Sequence, residues 1–261
     1  MPGSGFSRIV LTILMAVPLA AQIESPAAGQ AQPSVAPAPV QEAKAAPLTP
    51  EQRGDIFMAR KMYREAIEQY RQMPETAVIL NKLGIANHQM TDLGRAKRYY
   101  ERAIRVNPKY SEAVNNLGTI FYAMRSYRRA VTQYQKALKL SPNSASVYSN
   151  LGTAYFARKM YREAVEAYQQ AIKLDPDVFE HRDSFGVVMQ ERAVEERARF
   201  HYHVAKIYAQ AGMKERALLY IRKALEEGFK EPKRFLEEPE FVDVRAMPEF
   251  QLMMAQQPRA L

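Results

Sequence analysis

The sequence predicts an all-α solenoid of stacked helical hairpins, and three observations carry that prediction. The octapeptide ARKMYREA occurs at Ala59 to Ala66 and again at Ala157 to Ala164, 98 residues further on. Leu-Gly pairs stand at Leu83-Gly84, Leu117-Gly118 and Leu151-Gly152, a spacing of 34 residues shared by Ala96, Ala130 and Ala164 and by Pro108, Pro142 and Pro176. Within each period the apolar residues recur three and four apart, which is the spacing of one helix face. A fixed period of this length marks a supersecondary unit that cannot bury its apolar side alone and stacks on copies of itself.

The elements follow in order. The first helix of each full period carries Leu80, Leu83, Gly84 and Asn87, then Val114, Leu117, Gly118 and Phe121, then Tyr148, Leu151, Gly152 and Tyr155. The second carries Ala96, Tyr100 and Ala103, then Ala130, Tyr134 and Ala137, then Ala164, Tyr168 and Ala171. A helix-interior glycine costs about 1 kcal/mol relative to alanine, so each Gly demands a close neighbour. The expectation is that Ala96, Ala130 and Ala164 let the second helix approach, with Leu and Tyr filling the remaining space. Asn107-Pro108, Ser141-Pro142 and Asp175-Pro176 end each unit, since Pro cannot continue the preceding helix. Tyr63, Tyr100, Tyr127, Tyr134, Tyr161 and Tyr168 read as packing residues on one face.

Three periods make 102 residues, not 98, so the unit at 51–76 is truncated by four residues; Ala66 to Pro74 spans eight positions where Ala164 to Pro176 spans twelve. After Pro176 the phase is ambiguous. Ala198, Tyr202 and Ala205 fit a second helix in the old phase, or the first helix of a new hairpin, 198–211 on 214–227. The hairpin is preferred because Ala211-Gly212 supplies a turn and Gly228 a stop. On that reading residues 179–197 are an inserted helix, 198–228 a divergent hairpin, and 229–261 a terminal cap in which Pro-Glu-Phe recurs at 239–241 and 248–250.

These positions resemble the tetratricopeptide repeat family over residues 77–178, in units 77–110, 111–144 and 145–178. No unit carries the family's Trp, and Asn87 stands where an aromatic is usual. The resemblance implies a right-handed solenoid whose first helices line a concave groove for extended or helical peptide segments. By position the groove residues are Asn81, Lys82, Ile85 and Gln89, then Asn115, Asn116, Thr119 and Tyr122, then Ser149, Asn150, Thr153 and Phe156. Asn116 and Asn150 share one repeat position, so stacked amides there either hydrogen-bond a peptide backbone or bridge local polar groups. The family's basic clamp for acidic C-terminal peptides is not reproduced, because the units flanking Asn116 lack its Lys and Arg set.

The ends differ from the repeats. Residues 1–21 carry Arg8, an apolar run from Ile9 to Ala21, and a Leu-Ala-Ala close, the pattern of a cleaved secretory signal. This 13-residue run, interrupted by Thr12 and Pro18, falls short of the roughly 20 residues that span a bilayer, so a membrane-tethered adaptor requires this segment to stay attached. Residues 22–50 are rich in Ala, Pro and Gln and read as a disordered linker. The chain holds no Cys, which rules out disulfides and Cys-linked lipid, and its net charge is +9. Basic residues spread over the second helices read as a solvated face, since no nucleic-acid reader motif stands beside them, with nucleic-acid binding through these helices as the lesser alternative.

Of the four His residues, His201 and His203 are two apart, a spacing that sends them to different sides of a helix, where a metal pair needs three or four. No phosphate loop or nucleophile motif occurs. The sequence therefore points to an exported, non-catalytic protein-binding scaffold without metal or cofactor, located in a bacterial envelope as periplasmic or secreted protein, or alternatively to a regulatory subunit of an envelope enzyme.

Overall fold

A computed structural model describes residues 47–180 and 194–256; the expectations for the signal and for most of the linker lie outside these residues. Thr49 and Pro50, expected in the linker, instead open the first helix. Thr49 forms a capping box with Gln52, and Pro50 takes the first helical position, where no N–H is required.

Five antiparallel hairpins follow one another. They are α1 (Pro50–Ala59) with α2 (Tyr63–Tyr70), α3 (Ala77–Gln89) with α4 (Leu93–Val106), α5 (Ser111–Ala123) with α6 (Tyr127–Leu140), α7 (Ala145–Ala157) with α8 (Tyr161–Leu174), and α9 (Val194–Gln210) with α10 (Lys214–Glu226). Each second helix also packs on the first helix of the next hairpin, so the apolar faces form a run of clusters rather than one centre. α2 has 8 residues where α4, α6 and α8 have 14. Thr76, Asp92 and Ser144 cap α3, α4 and α7 through their side-chain oxygens.

The turns inside the hairpins share one geometry. Lys61, Thr91, Arg125 and Lys159 adopt φ of 55 to 61°, and Gly212 takes the same place with φ 72°. The following N–H reaches back to the helix, as from Asp92 to the Asn87 carbonyl at 2.9 Å and from Ser126 to the Phe121 carbonyl at 2.8 Å, which closes the helix end.

The glycines have a more specific reason than the sequence suggests. A Cβ on Gly84, Gly118 or Gly152 would stand 2.5 to 2.6 Å from the ring of Tyr100, Tyr134 or Tyr168, and Gly54 is covered in the same way by Tyr70. The residue that presses on each Gly is therefore the Tyr sixteen positions later, joined at Gly152 by the Ala164 carbonyl oxygen at 3.1 Å. Ala96, Ala130 and Ala164 are fully buried, yet they serve the packing around that ring. Three of the four Tyr hydroxyls are fixed by the residue after the Gly: Tyr70 donates to Asp55 Oδ1 at 2.7 Å, Tyr134 to Thr119 Oγ1 at 3.3 Å and Tyr168 to Thr153 Oγ1 at 3.2 Å.

Most of the expected inserted helix, 181–193, lies outside the described residues. Residues 194–197, assigned to it by the sequence, are instead the first turn of α9, where Glu195 and Glu196 suit the positive helix end. Phe200 meets Phe156 and Tyr168 edge-on, and the Tyr208 hydroxyl donates to the Pro176 carbonyl at 2.8 Å, which joins α9 to the preceding hairpin. The end of the fold is closed by α11 (Arg234–Glu237), a 3-10 turn at Pro239–Phe241, α12 (Val242–Arg245) and α13 (Pro248–Ala255). Their Phe235, Phe241, Val244 and Phe250 are buried against α9 and α10.

Candidate functional site

The residues carried over from the resemblance lie on one face of α3, α5 and α7, but at unequal depth. Asn81, Asn115, Asn116, Ser149, Asn150, Thr153 and Phe156 are buried; Lys82, Ile85, Thr119 and Tyr122 are half-buried, and Gln89 is exposed.

The buried amides form a directed chain across three hairpins. Asn150 Nδ2 donates to Asn115 Oδ1 at 3.0 Å, Asn115 Nδ2 to Asn116 Oδ1 at 3.4 Å, and Asn116 Nδ2 to Asn81 Oδ1 at 3.0 Å. Asn81 Nδ2 then donates to Glu112 Oε1 at 2.8 Å and to the Tyr110 hydroxyl at 3.4 Å, while that hydroxyl donates to Glu112 Oε2. Burial and the Glu112 charge push the Tyr110 hydroxyl up to about 12. Of the two readings open in the sequence, the structure shows the local bridge. The amides of Asn116 and Asn150 are engaged with the neighbouring hairpin, as buried polar groups must be to avoid a desolvation cost of about 1–3 kcal/mol each.

At the position of Asn116 and Asn150, the second hairpin has Lys82. Its Nζ lies 2.7 Å from Glu51 Oε1 and 2.8 Å from Asp55 Oδ1, both on α1. Burial alone would lower its pKa, but the hydrogen bonds to Asp55 and Glu51 leave it raised, so Lys82 stays charged. Thr119 and Thr153 turn their hydroxyls to the carbonyls of Asn115 and Ser149 and accept from the Tyr rings that sit on the glycines. The more accessible part of this face is thus Ile85, Gln89, Tyr122 and the exposed Glu112 carboxylate. Tyr122 leans on Tyr127 with ring centroids 5.2 Å apart.

A cleft that the sequence does not announce lies between α8 and α9. It has a volume of about 390 Å³ and is bordered by Tyr161, Glu166, Tyr202, His203, Lys206 and Arg234. His203 stacks on Tyr161 at 5.8 Å, and burial, with Arg234, Lys206 and Arg199 nearby, lowers its pKa to about 4. Lys206 and Arg234 are held by Glu238, which also accepts from the Tyr202 hydroxyl. His201 points the other way, its Nδ1 3.0 Å from Glu227 Oε2. Among the described residues no group of three His, Cys, Asp or Glu is placed to hold a metal ion.

Three family models match the chain: "Tetratricopeptide repeat" over 145–178, "TPR repeat" over 120–159, and a second "Tetratricopeptide repeat" model over 77–110 and 198–227. The last range is the α9–α10 hairpin. A comparison with curated proteins gives no match. Among solved structures, the chain is similar to "Crystal structure of MamA" (22% identity, 67% of this chain and 93% of that chain, TM-score 0.47). It is also similar to "MamA 41-end from Desulfovibrio magneticus RS-1" (19% identity, 68% and 92% covered, TM-score 0.48). The 34-residue hairpins, their Gly and Tyr pairs and the family matches between residues 77 and 227 make this chain a tetratricopeptide-repeat protein.

Proposed function

We propose that the protein is a non-catalytic interaction scaffold which holds a peptide segment of a partner against α3, α5 and α7, and that it acts after export in the cell envelope. The repeat fold supports the scaffold role. The observation that carries the binding surface is its layering. A self-satisfied amide floor fixes the spacing of three first helices, and above it Ile85, Gln89 and Tyr122 stay accessible with the Glu112 carboxylate beside them. Such a surface offers apolar area and a few polar contacts to a segment laid across the hairpins. Export rests on the Arg8 and Ile9–Ala21 pattern at the start of the chain. No described helix is long and apolar enough to cross a membrane.

Crosslinking in the native compartment tests the binding surface, followed by N-terminal sequencing of the recovered protein. Ile85→Ser with Tyr122→Ala is expected to remove the crosslinked partners while leaving the far-ultraviolet spectrum unchanged, and the mature chain is expected to begin at Gln22. Partners unaffected by the double substitution would overturn the binding surface. A chain still starting at Met1 would overturn cleavage and leave the tethered adaptor in its place.

A further inference from the structure

We infer that the outer face of α6 is a second docking surface, built for an acidic segment of a partner protein and separate from the face of α3, α5 and α7. Between Ala113 and Arg162 the sequence contains no Asp or Glu, and this stretch carries Arg125, Arg128, Arg129, Lys136, Lys139, Arg158, Lys159 and Arg162. The solvent side of α6 consists of Arg128, Arg129, Thr132, Gln135, Lys136 and Lys139, all exposed and confined to about one third of the helix circumference. The same side of each other second helix includes carboxylates: Glu65 and Glu68 on α2, Glu101 on α4, Glu163 and Glu166 on α8, Glu215 and Glu226 on α10. A generic solvated face would be mixed in α6 as it is in those four.

The contrast extends to pairing. Lys97, Arg102 and Arg162 on neighbouring helices meet Glu101, Glu75 and Glu166, whereas Arg125, Arg128, Arg129, Lys136 and Lys139 make no ion pair among the described residues. Arg129 is oriented by the Phe121 ring, whose centroid lies 5.7 Å away.

The chemistry of the face selects the occupant. Arg presents a planar fork that matches a carboxylate bidentately. From Arg128 to Lys139 the face runs about 17 Å, the reach of about five extended residues. A single-stranded nucleic acid needs aromatic platforms for its bases, and the solvent side of α6 has none. Insertion of an amphipathic helix into a membrane needs a row of apolar side chains beside the cations, and along α6 only Leu140, at the helix end, is a large apolar side chain that is exposed.

The test uses a fluorescein-labelled twelve-residue peptide of alternating Glu and Ser, titrated with the full chain at low and physiological salt. Arg128→Glu/Arg129→Glu/Lys136→Glu is compared with Arg60→Glu/Lys61→Glu/Arg64→Glu, which removes the same charge from the exposed surface of the first hairpin. The α6 triple is expected to weaken binding at least about tenfold and the control less than about twofold, with salt weakening wild-type binding. Arg128→Gln/Lys136→Gln, which adds no like-charge repulsion, repeats the comparison should the triple fail to fold by circular dichroism. Equal losses in the two triples would overturn the surface. Tighter binding of phosphatidylserine vesicles or a 20-base-pair duplex through the same residues, or self-association lost in the α6 triple, would overturn the acidic protein segment as its occupant.

Discussion

The hairpins α3–α8 and the last hairpin with its cap reach one backbone design by two chemistries. Aligned on Ala130 and Ala217, the pair Gly118 and Tyr134 becomes Ala205 and Ile221, and Asn115, Asn116 and Thr119 become Tyr202, His203 and Lys206. The first exchange is reciprocal. A smaller side chain on the second helix leaves room for a Cβ on the first. The second exchange follows from surroundings. Inside the array both sides of a first helix face other repeats, and neutral amides cost far less to bury there than charged groups. At the terminal hairpin Tyr202 is buried, but His203, Lys206, Arg234 and Glu238 are half-buried, and a charged network is tolerated: Glu238 takes hydrogen bonds from Tyr202, Lys206 and Arg234, while Arg245 donates to the Glu238 carbonyl at 2.7 Å. These donors hold the Glu238 carboxyl below its usual range against the opposing effect of burial.

Breaking the amide chain should separate the regions most clearly. Asn116→Ala with Asn150→Ala leaves buried partners unsatisfied and is expected to lower stability by about 2–6 kcal/mol in urea denaturation, at about 1–3 kcal/mol per lost group. Tyr202→Phe removes one hydrogen bond to a half-buried carboxylate and should cost about 1.5–3 kcal/mol. A double Asn variant as stable as the parent would erase the distinction.

The glycine exchange sharpens it. Gly118→Ala drives a Cβ into the Tyr134 ring and is expected to cost about 1–3 kcal/mol, with at least half regained on adding Tyr134→Ile. Ala205→Gly, opposite Ile221, should cost only the helix penalty of about 1 kcal/mol. Simple additivity in the Gly118 and Tyr134 cycle would show that ring and glycine are not coupled.

A further modest effect is expected on pH. His203 titrates near 4 in the folded chain against an ordinary 6.5, so the unfolded chain takes the proton first. Its contribution is complete above pH 6.5 and is lost as pH falls toward about 4, by about 1–2 kcal/mol after allowance for solvent screening. Arg199, Lys206 and Arg234 reinforce this direction and Glu238 opposes it. His203→Phe, which keeps the stack on Tyr161, should flatten the melting temperature over that range; an unchanged slope would assign it to other groups.

The period, the hairpin order and the turn at Gly212 are legible in the sequence because each is a local pattern repeated at a fixed spacing. The Gly and Tyr pairs were also within reach, since Gly54 and Tyr70 keep the sixteen-residue spacing of Gly84 and Tyr100 in a truncated unit. Small residues mark a close approach of helices, which Ala164 bears out at Gly152, but they do not say which ring fills the space. The amide chain was not legible. Its bonds join residues 35 apart, one position off the period, so alignment of equivalent positions pairs Asn116 with Asn150 and hides the partners Asn81 and Asn115. The cleft beside His203 was hidden for a similar reason, as it depends on where α9 lies after the phase is lost.

The one-way run of amide donors also gives the array a sense of direction, so that its modules are not interchangeable tiles. A middle hairpin moved to second place would bring an Asn where Lys82 stands and strand two α1 carboxylates without a cation, and Lys82 moved inward would meet Asn oxygens and no acid. Exchanging these look-alike hairpins is therefore expected to yield chains of the right length that fit their neighbours poorly, even where they share an identical stretch such as ARKMYREA.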